Sequence, residues 1–505
     1  MTALLVLTVL LPLGLLPLAG LTRSGLAWRL GLVLMPLPGL LLALAYEGPV
    51  SLSLPYLLTG ALWGLDDLRR LLLLAAAALW LAAGLYAVGY LKRRRRRFYL
   101  LWALTLTGNL GLMVSLDLAS FYSFFALMTF AGYGLVIHDQ TPRALFAGKV
   151  YLVMALLGEM LLLAGLLLAA QRAGSMMLAE LAPAVAAAER GGFIFLLLLL
   201  GFGVKAGLPL LHFWLPLAHP VAPTPASAVL SGAMIKAGLL GWVLLLPLGL
   251  PGQEALGRGL VLAGAVGALG GALLGLMQQA PKTILAYSSI SQMGLMTLLV
   301  GAAVAAPGQA AAMVPVIGLY ALHHGLAKGA LFLATGLPRP VHRSGQALWW
   351  LLVALPGLSL AGLPLTSGAV AKLAMKSVLV PDLPGVGLPS LLPALMSAGA
   401  LATTLVVMRF LWCLQGDANS GRHSPWMLAG WGGLTLVSLV LFWWLPWRAT
   451  AELAPMTFGE TGLTHAWSLL WPIMAGLLLT LLVLFIRSGR IERSGAARAD
   501  TGRGG

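Results

Sequence analysis

Four lysines lie inside segments that are otherwise apolar enough to sit in lipid: Lys205, Lys236, Lys328 and Lys372. Each falls near the middle of its segment or beside a helix break. An ionisable residue at membrane depth is costly and by default marks an ion or substrate pathway. Desolvation disfavours the ammonium against the neutral amine, so such a lysine can take and release a proton, most readily when a neighbouring carboxylate moves relative to it. The plainer alternative is a set of lysines that snorkel or pin helices together. Four of them, each with polar or helix-breaking neighbours, favour a relay.

Other titratable groups accompany them. His323 and His324 stand about one turn before Lys328. Positions four apart share a helix face, so His324 and Lys328 can touch, and an imidazole beside a lysine suits proton transfer. His212 and His219 flank Trp214-Leu215-Pro216, either as relay groups or as caps of a broken helix. Lys282, with Tyr287, Ser288 and Ser289, enters a span, where it admits water or simply ends a helix. Lys376 joins these as a supporting candidate. Of the 15 acids, Glu159 alone lies deep in an apolar run, LVMALLGEMLLLAG. A lone carboxylate there is protonated or paired, and one of the lysines is its natural partner.

The elements that must position these groups are membrane spans. Of the 505 residues 60% are hydrophobic and 9% charged, against about 25% charged in a soluble domain. A span needs about 20 apolar residues. On that rule the chain holds about 15 candidates, beginning near residues 3, 26, 71, 98, 117, 146, 192, 225, 256, 283, 309, 346, 387, 424 and 464. The expected fold class is therefore all-α integral membrane. The segment Met1–Leu21 lacks a basic leader and reads as a retained span. One cysteine, Cys413, excludes an internal disulfide. No Cys/His spacing suits an iron–sulfur, haem or zinc site and no phosphate loop follows a strand, so neither metal nor cofactor is expected.

The net charge of +16 sits in short loops and the tail. That is the pattern of topology signals rather than of nucleic-acid binding. An outward N-terminus and a cytoplasmic C-terminus place Lys92–Arg97, Arg143, Lys282, Arg339, Arg343, Arg422 and the tail from Arg487 to Arg503 inside. Trp443, Trp444 and Trp447 then form an outer aromatic belt. The expected location is a bacterial-type plasma membrane. The loops 47–70, 170–191 and 447–463 are the long ones and hold most of the acids.

Organisation centres on Gly201–Trp242, where a Gly-Leu-Pro break and a run of prolines separate Lys205 from Lys236. The pentapeptide AGLPL occurs at Ala206–Leu210 and again at Ala361–Leu365. Gly207, Pro209, Gly362 and Pro364 are thus matching helix breaks. Five-span units over 98–250 and 256–414 follow, flanked by N-terminal helices (1–97) and C-terminal helices with a basic tail (424–505). An odd span count inverts the second copy, and inverted repeats with broken helices are a transporter signature.

The stretch VKAGLPLLHFWLPLAHPVAPTPASAVLSGAMIKAGLLGW resembles the core of the antiporter-like membrane subunits. That family serves respiratory complex I, membrane-bound hydrogenases and formate hydrogenlyases, and Mrp-type Na+/H+ antiporters. KTILAYSSISQMGLM (282–296), LHHGLAKGALFLATG (322–336) and GLPLTSGAVAKLAMK (362–376) are similar to further blocks in the same order, so the resemblance covers about 98–414. It implies two inverted five-helix repeats and a midplane axis of lysines and histidines. It also implies proton translocation, or Na+ in its place, driven by partner membrane subunits. By motif, Lys205 matches the broken-helix lysine and Lys236 the connecting lysine. His324 and Lys328 match the central relay, and Lys372 the exit side.

Two positions depart from the family. Ala126, in FYSFFALM, stands where a glutamate usually pairs with the first lysine; Glu159, expected at similar depth on the next helix, is the candidate replacement. Gln279-Ala280-Pro281 precedes Lys282 where an acid is common. A rival reading is the proton-conducting partner of a bicarbonate-uptake complex. A second is a scaffolding subunit without its own channel, which the missing glutamate supports and the four lysines oppose.

Overall fold

Lipid offers a backbone no hydrogen bonds, so each apolar run closes its own as a helix. The computed structural model describes residues 1–21, 25–58, 60–340, 343–379, 391–416, 424–444 and 462–501. It begins with α1 (Thr2–Gly14), α2 (Ala27–Leu34), α3 (Leu37–Leu44), β1 (Val50–Leu54), β2 (Ala61–Leu65), α4 (Asp67–Tyr90) and α5 (Arg95–Val114). Next come α6 (Leu118–Val136), α7 (Pro142–Ala173), α8 (Leu178–Ala186), α9 (Gly191–Ala206), α10 (Trp214–Val221), α11 (Thr224–Val229) and α12 (Lys236–Leu245). The remainder is α13 (Glu254–Leu276), α14 (Pro281–Ala305), α15 (Ala310–Ala334), α16 (Arg343–Ala361), α17 (Ser367–Val378), α18 (Leu391–Gly416), α19 (Pro425–Trp444) and α20 (Gly462–Thr501).

Among the described residues 11 helical stretches are long and apolar enough to cross a membrane, with shorter apolar helices at Gly191–Ala206, Gly345–Ala361 and Pro425–Leu441. Each span start expected from the sequence lies within about five residues of a helix start. The fold is an all-α multi-pass membrane bundle. Trp447 and Arg422 lie outside the described residues, as do the side chains of Trp443, Trp444, Arg343 and the tail arginines.

Helix starts follow local chemistry. Asp117 accepts the Ser120 amide at 2.8 Å to cap α6, and Thr141, before Pro142, accepts the Ala144 amide at 3.1 Å to cap α7. These caps satisfy amides that the first turn leaves unpaired. The long loop expected over 47–70 is instead largely the antiparallel hairpin β1–β2, and Leu52 faces Trp63 in its register. The hairpin is hard to read from sequence because β1, VSLSL, alternates over only five positions and β2, ALWGL, does not alternate. It is tied to the bundle by Asp117, whose second oxygen accepts the Leu62 amide at 2.8 Å. The loop expected over 170–191 contains α8.

Two breaks interrupt the bundle in one geometry. Gly207 ends α9 at φ +78°, and Gly362 ends α16 at φ +102°. The Leu208 amide returns to the Gly203 carbonyl at 2.9 Å, and the Leu363 amide to the Leu358 carbonyl at 3.0 Å. Both are the 6→1 bond that closes a helix at a left-handed residue, where glycine has no Cβ penalty. Three residues on, Leu210 and Leu365 also take positive φ, +68° and +65°. Carbonyls freed by a break need new donors. At the first break the Trp214 indole reaches the Val204 carbonyl at 2.8 Å, and at the second the Gly362 amide reaches the Ser359 carbonyl at 2.9 Å.

Candidate functional site

Lys205 ends α9 in the turn before the break and is 5% exposed. Its Nζ donates to Thr129 Oγ1 and to the Tyr151 hydroxyl, each at 3.3 Å. Those hydroxyls spend their own protons elsewhere: Thr129 on the Phe125 carbonyl at 2.9 Å, Tyr151 on the Thr129 carbonyl at 3.0 Å. Both oxygens are therefore free to accept from the lysine. Rings of Phe125, Tyr151 and Trp214 stand 5.9, 5.6 and 5.9 Å from Nζ, within cation–π range.

Glu159 of α7 lines the same small cavity as Lys205, Thr129, Tyr151 and Trp214. It is 5% exposed, and neither carboxylate oxygen has a hydrogen-bond partner. Lys205 is the cation acting on it, with the Thr129 and Tyr122 hydroxyls alongside. The ammonium and carboxylate thus share a chamber without closing an ion pair. The cavity, about 20 Å³, has room for one water between them. Ala126 is partly buried on α6, one turn from Thr129.

A second cluster gathers around Lys236. The segment Leu230–Met234 is a π-helical turn, and α12 starts two residues later. Such turns add a residue and reorient the side chains that follow, frequently at functional sites. Lys236 Nζ donates to the Ser231 carbonyl at 3.0 Å and lies 2.6 Å from His324 Nδ1. The approach requires glycine on both helices: a Cβ at Gly232 would stand 2.6 Å from the Gly325 carbonyl oxygen, and one at Gly325 would stand 2.7 Å from that of Gly232. Small residues give membrane helices this closeness.

Around the pair, Ser231 and Ser289 share a 2.7 Å hydroxyl bond, and Ser289 donates to the Leu285 carbonyl at 2.9 Å. Lys328 Nζ donates to the same Leu285 carbonyl at 3.2 Å. The expected contact between His324 and Lys328 is therefore not a hydrogen bond: His324 bonds across to Lys236, and Lys328 bonds to α14. Tyr320 and Thr403 hold the Gln292 amide at 2.7 and 2.9 Å. Among the described residues no hydrogen bond joins this cluster to the Lys205 chamber.

The third group lies at the second break. Ser367 Oγ donates to the Ser438 carbonyl at 2.6 Å, so its 2.8 Å bond to His323 has Nδ1 as donor. The tautomer is thereby assigned, with Nε2 free of a partner. Lys372 packs its stem on Gly362, and its buried Nζ has no hydrogen-bond partner.

The supporting residues divide. Lys282, in the first turn of α14, donates to the Ala222 carbonyl at 2.8 Å. Lys376 donates to the Ser468 carbonyl at 2.9 Å. Both hold backbone. His219 is stacked on Phe332 at 4.5 Å, with neither ring nitrogen bonded. His212 stacks on Phe213 at 5.1 Å. The His212 ring also faces the Leu208 backbone beside the first break. Sequence reading missed Thr129, Tyr151, Ser231, Gln292, Tyr320 and Ser367. A signal was available for Tyr320 and Tyr151, which lie four and eight residues from His324 and Glu159 on the same helix faces.

Comparison with known proteins places this architecture. Residues 115–388 match the model of a family described as NADH:quinone oxidoreductase/Mrp antiporter, transmembrane. NADH-quinone oxidoreductase subunit N of Heliobacterium modesticaldum is 31% identical over 72% of this chain and 79% of its own length. Hydrogenase-4 component B of Escherichia coli K12 is 32% identical over 54% of the chain, and the chain covers 42% of that relative. In fold, the chain is similar to a chain of the Mrp complex from Dietzia sp. DQ12-45-1b, with a TM-score of 0.80 at 23% identity over 98% of this chain and 60% of that one.

Proposed function

The chain belongs to the NADH:quinone oxidoreductase/Mrp antiporter transmembrane family, and from that premise we propose that it translocates protons as one membrane subunit of a multisubunit assembly. Its two halves are inverted copies, each opened at its AGLPL break. Lys205 holds a proton in the first chamber, with Glu159 on α7 as the counter-charge that replaces a glutamate at Ala126. Lys236 and His324 pass it across the middle, with Lys328 beside them. His323 and Lys372 take it at the second break. Chemically driven partner subunits supply the energy, and Na+ is the alternative cargo. The basic loops, Lys92–Arg97 among them, face the cytoplasm.

The observation that carries this reading is the buried Lys236–His324 pair at 2.6 Å. A direct amine–imidazole bond deep in an apolar bundle serves stability poorly, since two cations cannot both be charged there. It serves proton transfer well, because either nitrogen can hold the one proton they share. The test is Lys236→Ala in the assembled complex, reconstituted in vesicles with a pH-sensitive dye. Proton flux should fall to background while assembly is kept; undiminished flux would overturn the proposal.

One observation favours the scaffolding alternative for the first half alone. Glu159 and Lys205 are not in contact, so a resting lock is absent. Full activity of a Lys205→Ala complex would decide for that reading.

A further inference from the structure

Successive spans alternate in direction, so α4 ends, α5 starts, α6 ends, α7 starts and α11 starts on one face of the bundle. Between those ends lies an open basin of about 670 Å³, lined by Tyr90, Lys92, Arg93, Arg94, His138, Asp139 and Pro223 among others. Because its wall is made of the short loops that join these spans, a bundle embedded over its apolar lengths presents the basin near the headgroup layer. We propose that this basin is a binding site for the phosphate of an anionic phospholipid headgroup.

Three lining cations face one lining carboxylate, and that carboxylate is also directed at Lys282. The site is built rather than merely charged. The Arg94 guanidinium donates to the His138 carbonyl at 2.8 Å, tying the two rim loops together. Each rim carries a non-glycine residue in the left-handed region, Arg94 at φ +53° and Gln140 at φ +54°. Such strain persists where surroundings over-determine it, often at ligand sites. His138 is 3% exposed, its ring set edge-on to Phe98 at 5.4 Å, and its Nδ1 has no hydrogen-bond partner. The ring also contacts the Arg93 backbone, and on protonation the unpartnered Nδ1 becomes a donor for an anion in the basin.

A lipid phosphate fits better than the alternatives. The concavity opens at headgroup level rather than onto a projecting surface, and Tyr90 places an amphipathic ring at the end of α4, where interfacial aromatics sit. Basic pockets between membrane helices are established headgroup sites, with each cation near the surface adding to the attraction. Burial holds His138 below its ordinary value, with Arg97 and Arg94 adding to the effect and Asp139 opposing it. A bound phosphate favours the imidazolium, so lipid binding strengthens as pH falls.

The experiment uses the complete complex, reconstituted in phosphatidylcholine vesicles with and without phosphatidylglycerol, then re-extracted and its retained lipids counted by mass spectrometry. Phosphatidylglycerol should be enriched over phosphatidylcholine. Lys92→Gln/Arg93→Gln should reduce that enrichment roughly fivefold per cation removed. Arg96→Gln, on the same run but off the basin wall, should leave it unchanged and controls for bulk charge. Equal enrichment in all three proteins, or none in the wild type, overturns the proposal. So does protection of Lys92 from amine labelling by inorganic phosphate alone when phosphatidylglycerol gives none. Loss of an acidic partner subunit from the double variant with lipid retention intact also overturns it.

Discussion

Lys236 and His324 approach to 2.6 Å between helices that share no sequence proximity, and the contact exists because Gly232 and Gly325 let the two backbones touch. A π-helical turn sets the lysine's direction, glycine sets the distance, and Ser231, Ser289 and Lys328 supply further polar atoms around the pair. His324 Nε2 remains without a partner. That leaves the imidazole one committed nitrogen and one open to a proton carrier.

His324→Gln should therefore uncouple the centre of the path. Glutamine can still bond to Lys236 but cannot be protonated, so assembly should be kept and proton flux should fall by tenfold or more. Dye-monitored flux in vesicles containing the assembled complex is the measurement, and unchanged flux would remove His324 from the path.

Glu159→Gln tests the first chamber. The carboxylate and Lys205 line one cavity with room for one water, and the substitution removes its charge while keeping its shape. Flux should drop severalfold or more, whereas Ala126→Glu in the same background should restore part of it from the position where the family resemblance leads one to expect an acid. Failure of Glu159→Gln to alter flux would leave Lys205 without a counter-charge among the residues lining its cavity.

The lysines, the breaks and most span starts were legible because each is a local contrast: a charge in an apolar run, or Gly and Pro in a helical pattern. Partner choice was not legible. Spacing of four put Lys328 beside His324, but the bond went to Lys236, since a neighbouring helix two glycines thinner offers a shorter path than the same helix face. The roles of hydroxyls such as Thr129 and Tyr151 were not legible either, since only packing reveals that their protons are already spent on carbonyls. The β1–β2 hairpin was not legible because β1 alternates over only five residues and β2 reads as a plain apolar run.

Gly325→Val probes the approach directly. A Cβ there would stand 2.7 Å from the Gly232 carbonyl oxygen, so the helices must separate. Overpacking of this kind costs about 1–3 kcal/mol, and separating the helices also breaks the Lys236–His324 bond. Thermal unfolding in detergent should fall by several degrees and flux should fall with it; a variant of unchanged Tm and flux would mean that the contact is not needed.

Trp214→Phe separates structure from charge at the first break. The indole N–H satisfies the Val204 carbonyl at 2.8 Å, while its ring stands 5.9 Å from Lys205. Phenylalanine keeps an aromatic face for the ammonium but leaves the carbonyl unpaired in a buried site, at a cost of about 1–3 kcal/mol. Stability should therefore fall more than flux does. Trp214→Leu, which removes ring and donor together, should lower both, because the Lys205 ammonium then loses one of its three aromatic neighbours. If the two variants behave alike in flux, the aromatic surround of Lys205 contributes nothing to the path, and the indole is there for the broken helix alone.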